Sequence, residues 1–225
     1  MIASNLSLRN DPRPLGDKDY MSNTTTKSIK LSLLFACFLS MVGCSSKEKF
    51  DPVVASGEER EATIVPGQSP SEEAKAELLA AKEALFTRLS GRLMEAIANR
   101  GPAAAIAVCQ QEAPTIAKEV GAEQGLQIGR VGVRLRNPNN VAPSWAAELV
   151  RDKTELPMFV TLDNGHAAAL LPIKLQTQCL MCHGPNDQIP QMIQEQLTRQ
   201  YPNDQATGFQ EGELRGWFWI DSPNT

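Results

Sequence analysis

Apolar residues are distributed along this chain of 225 residues in successive styles, and each style predicts a different element. Leu31 to Val42 is an almost unbroken apolar run, preceded by Lys27 and Lys30. From Ser45 to about Gln68 the chain is rich in Ser, Glu, Lys, Pro and Gly and has few large apolar residues, the composition of a flexible tether. From Ser69 the period becomes helical. Ser69-Pro70-Ser71-Glu72 reads as an N-cap serine, a proline at the first helical position and a glutamate at the third. Leu78, Leu79, Leu85, Phe86, Leu89, Leu93, Met94 and Ile97 then keep to one helical face until Asn99-Arg100-Gly101, which predicts a long helix over 70–98. Pro102 opens a second helix with Ala105, Ile106, Cys109, Ala113, Ile116 and Val120 on its apolar side and Gly121 as its stop. Pro114 has no N–H for the carbonyl of Gln110, so this helix is expected to kink or restart just past Cys109.

Beyond Gly125 the period changes to two. Val131, Val133 and Leu135 alternate with Arg130, Gly132, Arg134 and Arg136, a half-buried strand with three guanidinium groups on its other face. Asn137-Pro138-Asn139-Asn140 is a turn, and Pro143 opens a short helix carrying Trp145, Leu149 and Val150. Met158 to Leu162 and Ala167 to Leu175 flank Asp163-Asn164-Gly165, a hairpin around an Asn-Gly pair. Gly184-Pro185-Asn186-Asp187 forms a loop, Pro190 starts a helix to about Arg199, and Gly212 to Ile220 returns to strand with Trp217, Phe218 and Trp219. Those rings close the sheet and core or line a bound group.

Composition changes this picture little: 42% hydrophobic and 21% charged is ordinary globular material, and residues 69–225 suffice for one domain. A net charge of −4 with no basic cluster argues against a nucleic-acid partner and against electrostatic docking to anionic lipid. The N-terminus matters more. The apolar run is too short for a permanent membrane span and fits a signal h-region ending in Met41-Val42-Gly43-Cys44, a lipobox-like site in which Met41 stands where Leu is usual. Cys44 is expected to become the lipidated first residue of an exported lipoprotein. Residues 1–20 read as upstream of the true start at Met21, residues 21–43 as signal peptide and 44–68 as linker. Ser45, rather than Asp, follows the lipid cysteine, which in a Gram-negative cell favours anchoring to the outer membrane on its periplasmic side.

The chemistry is concentrated in Cys179-Leu180-Met181-Cys182-His183. Two thiols three apart, followed by an imidazole, are what covalent attachment of haem c requires: each sulfur forms a thioether with a vinyl group, and the histidine is presented to iron. A structural zinc site would need four ligands, and only Cys109 and His166 remain to complete one. A thioredoxin-like pair would open a helix after a strand in a βαβ setting, which does not surround this motif. Of five cysteines, Cys37 leaves with the signal peptide, Cys44 takes lipid and Cys179 and Cys182 take haem, so Cys109 has no disulfide partner in the mature chain. By its spacing Cys109 is either a plain core thiol or a second ligand to the iron. Arg130, Arg134 and Arg136 are either a solvated face or partners for the haem propionates. His166, beside the hairpin turn, reads as exposed at a loop tip rather than as an iron ligand.

Taken in order, Ala107-Val108-Cys109 through Ala113-Pro114-Thr115-Ile116-Ala117, Gly129-Arg130 leading to Arg136-Asn137-Pro138-Asn139-Asn140, Cys179 to Gly184, and Gly208-Phe209 with Gly212-Glu213-Leu214-Arg215-Gly216 resemble the Tll-like haem domains. These are exported haem-c proteins with a PAS-like fold. The resemblance runs from about Ala76 to the C-terminus. It implies an α+β, PAS-like antiparallel sheet flanked by helices, here with a long N-terminal helix and one covalent haem c per chain. It also implies iron held by His183 on one side and Cys109 on the other. The family usually has a small hydroxyl pair after Gly129-Arg130, where this chain has Val131-Gly132.

Thiolate opposite imidazole stabilises ferric iron, so the expected reduction potential is low, and reduction weakens the iron–sulfur bond. The leading expectation is therefore a non-enzymatic redox or gas sensor with labile thiolate ligation, answering to a signalling or redox partner protein or a diatomic gas. A tethered electron carrier is the alternative, and a peroxidase ranks third because the sixth ligand fills the face where peroxide would bind.

Overall fold

The computed structural model describes residues 61–223. The apolar run, Cys37 and Cys44 lie outside those residues, as do the expected signal peptide and lipid site. Among the described residues no helix is long and apolar enough to cross a membrane.

The chain enters along the hairpin: Ile64 bridges Leu162, and Thr63 Oγ1 donates to Asp163 at 3.0 Å. The last residues of the expected linker are thus seated on the domain. Helix α1 spans Glu72–Arg100. Its cap is Ser71, not Ser69, because Ser71 Oγ accepts the Ala74 N–H at 3.1 Å while Glu72 and Glu73 place negative charge at the positive end of the helix. Gly101 ends it at φ 84°, and α2 (Pro102–Ala107) follows at once. The expected kink is a π-helical turn over Val108–Glu112, in which the Ala113 N–H reaches back to the Val108 carbonyl. Helix α3 (Ala113–Gln124) then runs past Gly121 to Gly125, which takes the left-handed conformation at φ 68°. Gly121 serves close packing instead: a Cβ there would stand 2.7 Å from the Leu126 carbonyl oxygen.

Strand β1 (Gln127–Gly132) is shorter than the alternation predicts, and Arg134 and Arg136 fall in the loop beyond it. The chain turns at Gly132, where a Cβ would lie close against the Arg215 guanidinium and 2.8 Å from the Arg134 carbonyl oxygen. A 3-10 turn (Ser144–Ala146) leads into α4 (Ala147–Arg151), then to β2 (Met158–Thr161) and β3 (Ala167–Lys174). A second 3-10 turn (Thr177–Cys179) runs into α5 (Leu180–His183), followed by α6 (Gln191–Gln200) and β4 (Leu214–Ser222). The four strands form one antiparallel sheet in the order β1-β4-β3-β2. This is the α+β architecture expected, an antiparallel sheet flanked by helices.

One face of the sheet (Ile128, Ala169, Leu171, Phe218, Ile220) packs on α1 and α3 through Leu78, Leu85, Leu89, Ile116 and Val120. Leu78 and Leu85 are fully buried, each worth about 1.5–3 kcal/mol, so packing rather than helix propensity fixes α1. The other face holds Val131, Trp145, Leu170 and Trp217. Near the sheet, α2 and α6 enclose a smaller cluster of Ile106, Ile193, Leu197 and Tyr201, against which Cys182 packs.

Candidate haem-binding site

The motif is a turn and a single helical turn pinned from behind. Gly184 donates to the Leu180 carbonyl at 2.8 Å, and a Cβ at Gly184 would stand 2.6 Å from that same oxygen, so glycine lets the turn close. Gly208 and Phe209 donate to the carbonyls of Gly184 and His183 at 2.7 and 3.0 Å. Cys179 and Leu180 pack on Leu175, Ala206 and Phe209.

His183 is prepared as a ligand. Its Nδ1 lies 2.7 Å from the Ala206 carbonyl, an atom that only accepts, so Nδ1 carries the proton and Nε2 keeps a free lone pair. Burial, and then the guanidinium groups of Arg136 and Arg215, hold its pKa well below the ordinary 6.5, against a smaller opposing pull from the Ala206 bond. The imidazole is neutral at pH 7, as metal ligation requires. The ring of Phe209 meets it edge-on, centroids 6.4 Å apart.

Cys109 occupies the second position of the π-helical turn. The Ala113 N–H passes over its carbonyl to Val108, and Pro114 has no N–H to offer, so the backbone at Cys109 lies outside the regular helical ladder. Burial raises the Cys109 thiol pKa, while Arg130, Arg136 and Arg215 pull it down. Burial likewise raises Cys182, whose thiol feels both Cys109 and Cys179. The fold therefore brings Cys109, 70 positions upstream of the motif, into its electrostatic neighbourhood.

The arginines divide by role. Arg136, 8% exposed, pairs with Asp204 at 3.0 Å and donates from Nη2 to the carbonyls of Cys182 at 2.6 Å and Ala206 at 3.1 Å. It is fastened to the motif backbone through Nη2 and to Asp204 through Nε. Arg134 stacks on Phe209, its guanidinium carbon 3.8 Å from the ring centroid. The Arg130 guanidinium makes no hydrogen bond or ion pair with another described residue, and burial lowers its pKa. Arg215, to which the sequence reading gave no role, donates from Nη1 to the Arg134 carbonyl at 3.0 Å, but its Nε is buried without a partner. Burial and the neighbouring arginines lower its pKa to about 10.

Against these cations the electrostatics of the group bring in one carboxylate, Asp204. Clustered half-buried guanidinium groups, one with a buried and unpartnered N–H, call for anions. Two propionates are such anions, and Arg215, Arg130 and Arg134 are the groups left to meet them. The donor set thus fits haem: paired thiols, a neutral imidazole with one free nitrogen, a third thiol and surplus guanidinium charge. Among the described residues no group of three or more His, Cys, Asp and Glu is placed to hold a bare metal ion.

Cys109 and Arg130 also line a cavity of about 470 Å³ walled by Pro114, Gly121, Gly129 and Trp219. His183 is not among its lining residues, so this space flanks the thiol side. The Trp219 ring lies over Gly129, and its indole Nε1 is buried without a partner. His166 stands apart: its Nδ1 is 2.6 Å from Asp221 on β4, and it lines a different cavity with Gly125 and Pro223. It is one-third exposed and paired, not a free loop-tip residue. Tyr201 and Asp204 are further residues the sequence did not single out. Burial, with the nearby Cys109, pushes the Tyr201 hydroxyl up to about 12. Composition alone carries no signal for either; only their distance in space from the motif does.

No curated protein matches the chain. A solved structure described as the cyanobacterial heme-protein Tll0287 is similar to it, with 26% identity over 69% of this chain and 98% of that chain and a TM-score of 0.51. The Tll0287-like family model matches residues 18–223, and with a match of that extent the chain belongs to the Tll0287-like family.

Proposed function

We propose that this chain is an exported, lipid-anchored haem-c protein that works as a redox or small-ligand sensor. One haem per chain would be held by thioethers at Cys179 and Cys182, with His183 and Cys109 as the residues that hold its iron. The observation that carries the haem reading is the surplus of half-buried guanidinium charge around a Cys-x-x-Cys-His turn whose histidine is already neutral and oriented. The family's similarity to a haem protein supports it. When bound, the haem would supply one-electron redox chemistry and a coordination position for a diatomic gas.

The residues perform the rest. Ala206 and Arg136 fix the tautomer and tilt of His183. Arg215 and Arg130 would receive the propionates. Cys109 is the labile element, since its π-helical turn lacks the helical hydrogen bond that would hold it in one register. Release of Cys109 would be read by a partner protein in the periplasm, where lipid on Cys44 confines the domain to the membrane surface. Nucleic acid has no part in this reading, nor does catalysis. A tethered electron carrier is the second reading, favoured by the buried Arg136–Asp204 pair that stiffens the motif.

The test is the visible and electron paramagnetic resonance spectra of matured ferric protein beside Cys109→Ala, then reduction under carbon monoxide. A low-spin thiolate signal lost in the variant, with carbon monoxide binding after reduction, is the expected result. A spectrum indifferent to the substitution removes Cys109 from the iron, and a reduced protein that refuses carbon monoxide makes the carrier the better account. Absence of covalent haem overturns both.

A further inference from the structure

The segment that begins at Gln200, the last residue of α6, touches the surroundings of Cys109 and of the Cys179–His183 motif at once. At its start the Gln200 carbonyl accepts from Gln110 Nε2 at 2.8 Å, and Gln110 is the residue next to Cys109 in the π-helical turn. Tyr201, buried at 6% exposure, follows. Asp204 is tied back by its N–H to the Tyr201 carbonyl at 3.0 Å. Its Oδ1 accepts the Ala206 N–H at 2.8 Å, and its Oδ2 holds Arg136 Nε at 3.0 Å. Arg136 and His183 both donate to the Ala206 carbonyl, and Arg136 also donates to the Cys182 carbonyl. Ala206 is therefore held on both sides, its N–H by Asp204 and its carbonyl oxygen by Arg136 and His183.

We infer that residues 200–206 form a strap that positions His183 and Cys109, and that Asp204 is its positioning residue, acting on His183 through Arg136 and the backbone of Ala206. This rests on the haem reading and goes beyond it, because none of the strap's residues touches the haem in that reading. The geometry gives Asp204 a double effect. Its carboxylate compensates the guanidinium charge nearest His183, and its hold on Ala206 keeps that carbonyl aimed at Nδ1. Both effects make the imidazole a stronger donor and favour the ferric state. Gln110 is the corresponding tie on the thiol side.

The experiment uses the full matured chain and compares Asp204→Asn, Asp204→Glu and Gln110→Leu by equilibrium redox titration, electron paramagnetic resonance and thermal unfolding. Asp204→Asn is expected to shift the one-electron equilibrium toward the reduced form roughly tenfold, about 59 mV upward. Asp204→Glu, which keeps charge and acceptor, should hold the equilibrium close to that of the unsubstituted protein. Gln110→Leu should leave the covalent haem in place and diminish the thiolate-type signal. Should Asp204→Asn not fold, Arg136→Lys, which keeps the charge and loses the fork, should move the equilibrium the same way by a smaller factor. An Asp204→Asn protein that melts lower but keeps the wild-type potential and spectrum overturns the inference, because that is what a merely structural residue does. Failure of the haem reading is separate: wild-type protein would then carry no thioether-linked haem by intact mass.

Discussion

Arg215→Met should stabilise the haem-free protein and destabilise the haem-loaded one. In the structure the Arg215 pKa stands at about 10 against 12.5 for a free side chain, so below about pH 10 the group stays charged in the fold but at a cost the unfolded chain does not bear. That gap corresponds to about 3 kcal/mol, an upper bound because Arg215 is only half-buried and solvent screens it. The substitution forfeits one hydrogen bond to the Arg134 carbonyl, about 1 kcal/mol, and a weak contact with Phe209 at 5.7 Å. The net gain without haem is about 1 kcal/mol, which for a domain of this size is about 2–4 °C in melting temperature. With haem bound the sign reverses, since loss of a charge-assisted bond to a propionate costs about 2 kcal/mol. Thermal unfolding of the pair, once in a Cys179→Ala/Cys182→Ala background without cofactor and once as matured protein, reads both signs. A shift of the same sign in both backgrounds refutes the assignment of Arg215 to an anion.

Further substitutions test other parts of the argument. Gly129→Ala would place a Cβ against the Trp219 ring, so the urea midpoint should fall by an amount equal to about 1–3 kcal/mol with altered tryptophan fluorescence; an unchanged midpoint counts against that packing. His183 stays neutral in the fold while the unfolded chain takes up a proton below 6.5. The haem-free protein should therefore lose about 1 kcal/mol through this group between pH 7 and about pH 5.5, and His183→Gln should flatten that part of the slope; equal slopes would show that His183 titrates freely. Trp217→Phe removes the bond from its indole N–H to the Thr154 carbonyl at 2.7 Å inside the core and should cost about 1–3 kcal/mol by chemical denaturation, whereas a loss within error would mean that water replaces it.

The sheet and its helices were legible because period and punctuation agreed over long stretches, as in the Asn164-Gly165 hairpin and the Pro102 helix start. The departures have local causes. In α1 the apolar residues come as adjacent pairs, Leu78 with Leu79 and Leu85 with Phe86. Neighbours on a helix point about 100° apart, so the sheet covers Leu78 and Leu85 while Leu79, Phe86 and Met94 remain 45%, 48% and 62% exposed. In β1 the alternation outlasts the strand because Val133 and Leu135 still pack against the second core after the chain has turned at Gly132. Apolar side chains can stay partly buried beyond a strand, and the alternating letters record only that packing.

The site separates along the same line. Haem attachment is local chemistry, so its requirement is written in consecutive residues and can be read without the fold. Charge balance is not local. Asp204 lies 68 positions from Arg136, and Arg215 lies 81 positions from the Arg134 carbonyl it bonds. Nothing in the run Arg130, Arg134, Arg136 says which guanidinium is already satisfied. The fold decides it: Arg136 is answered by Asp204 and two carbonyls, Arg134 lies on Phe209, and Arg130 and the unanticipated Arg215 are left with charge to place. A cluster in which one cation is paired and its neighbours are not has the electrostatics of an anion site, and the carboxylates of a haem are the anions a Cys-x-x-Cys-His turn would bring to it.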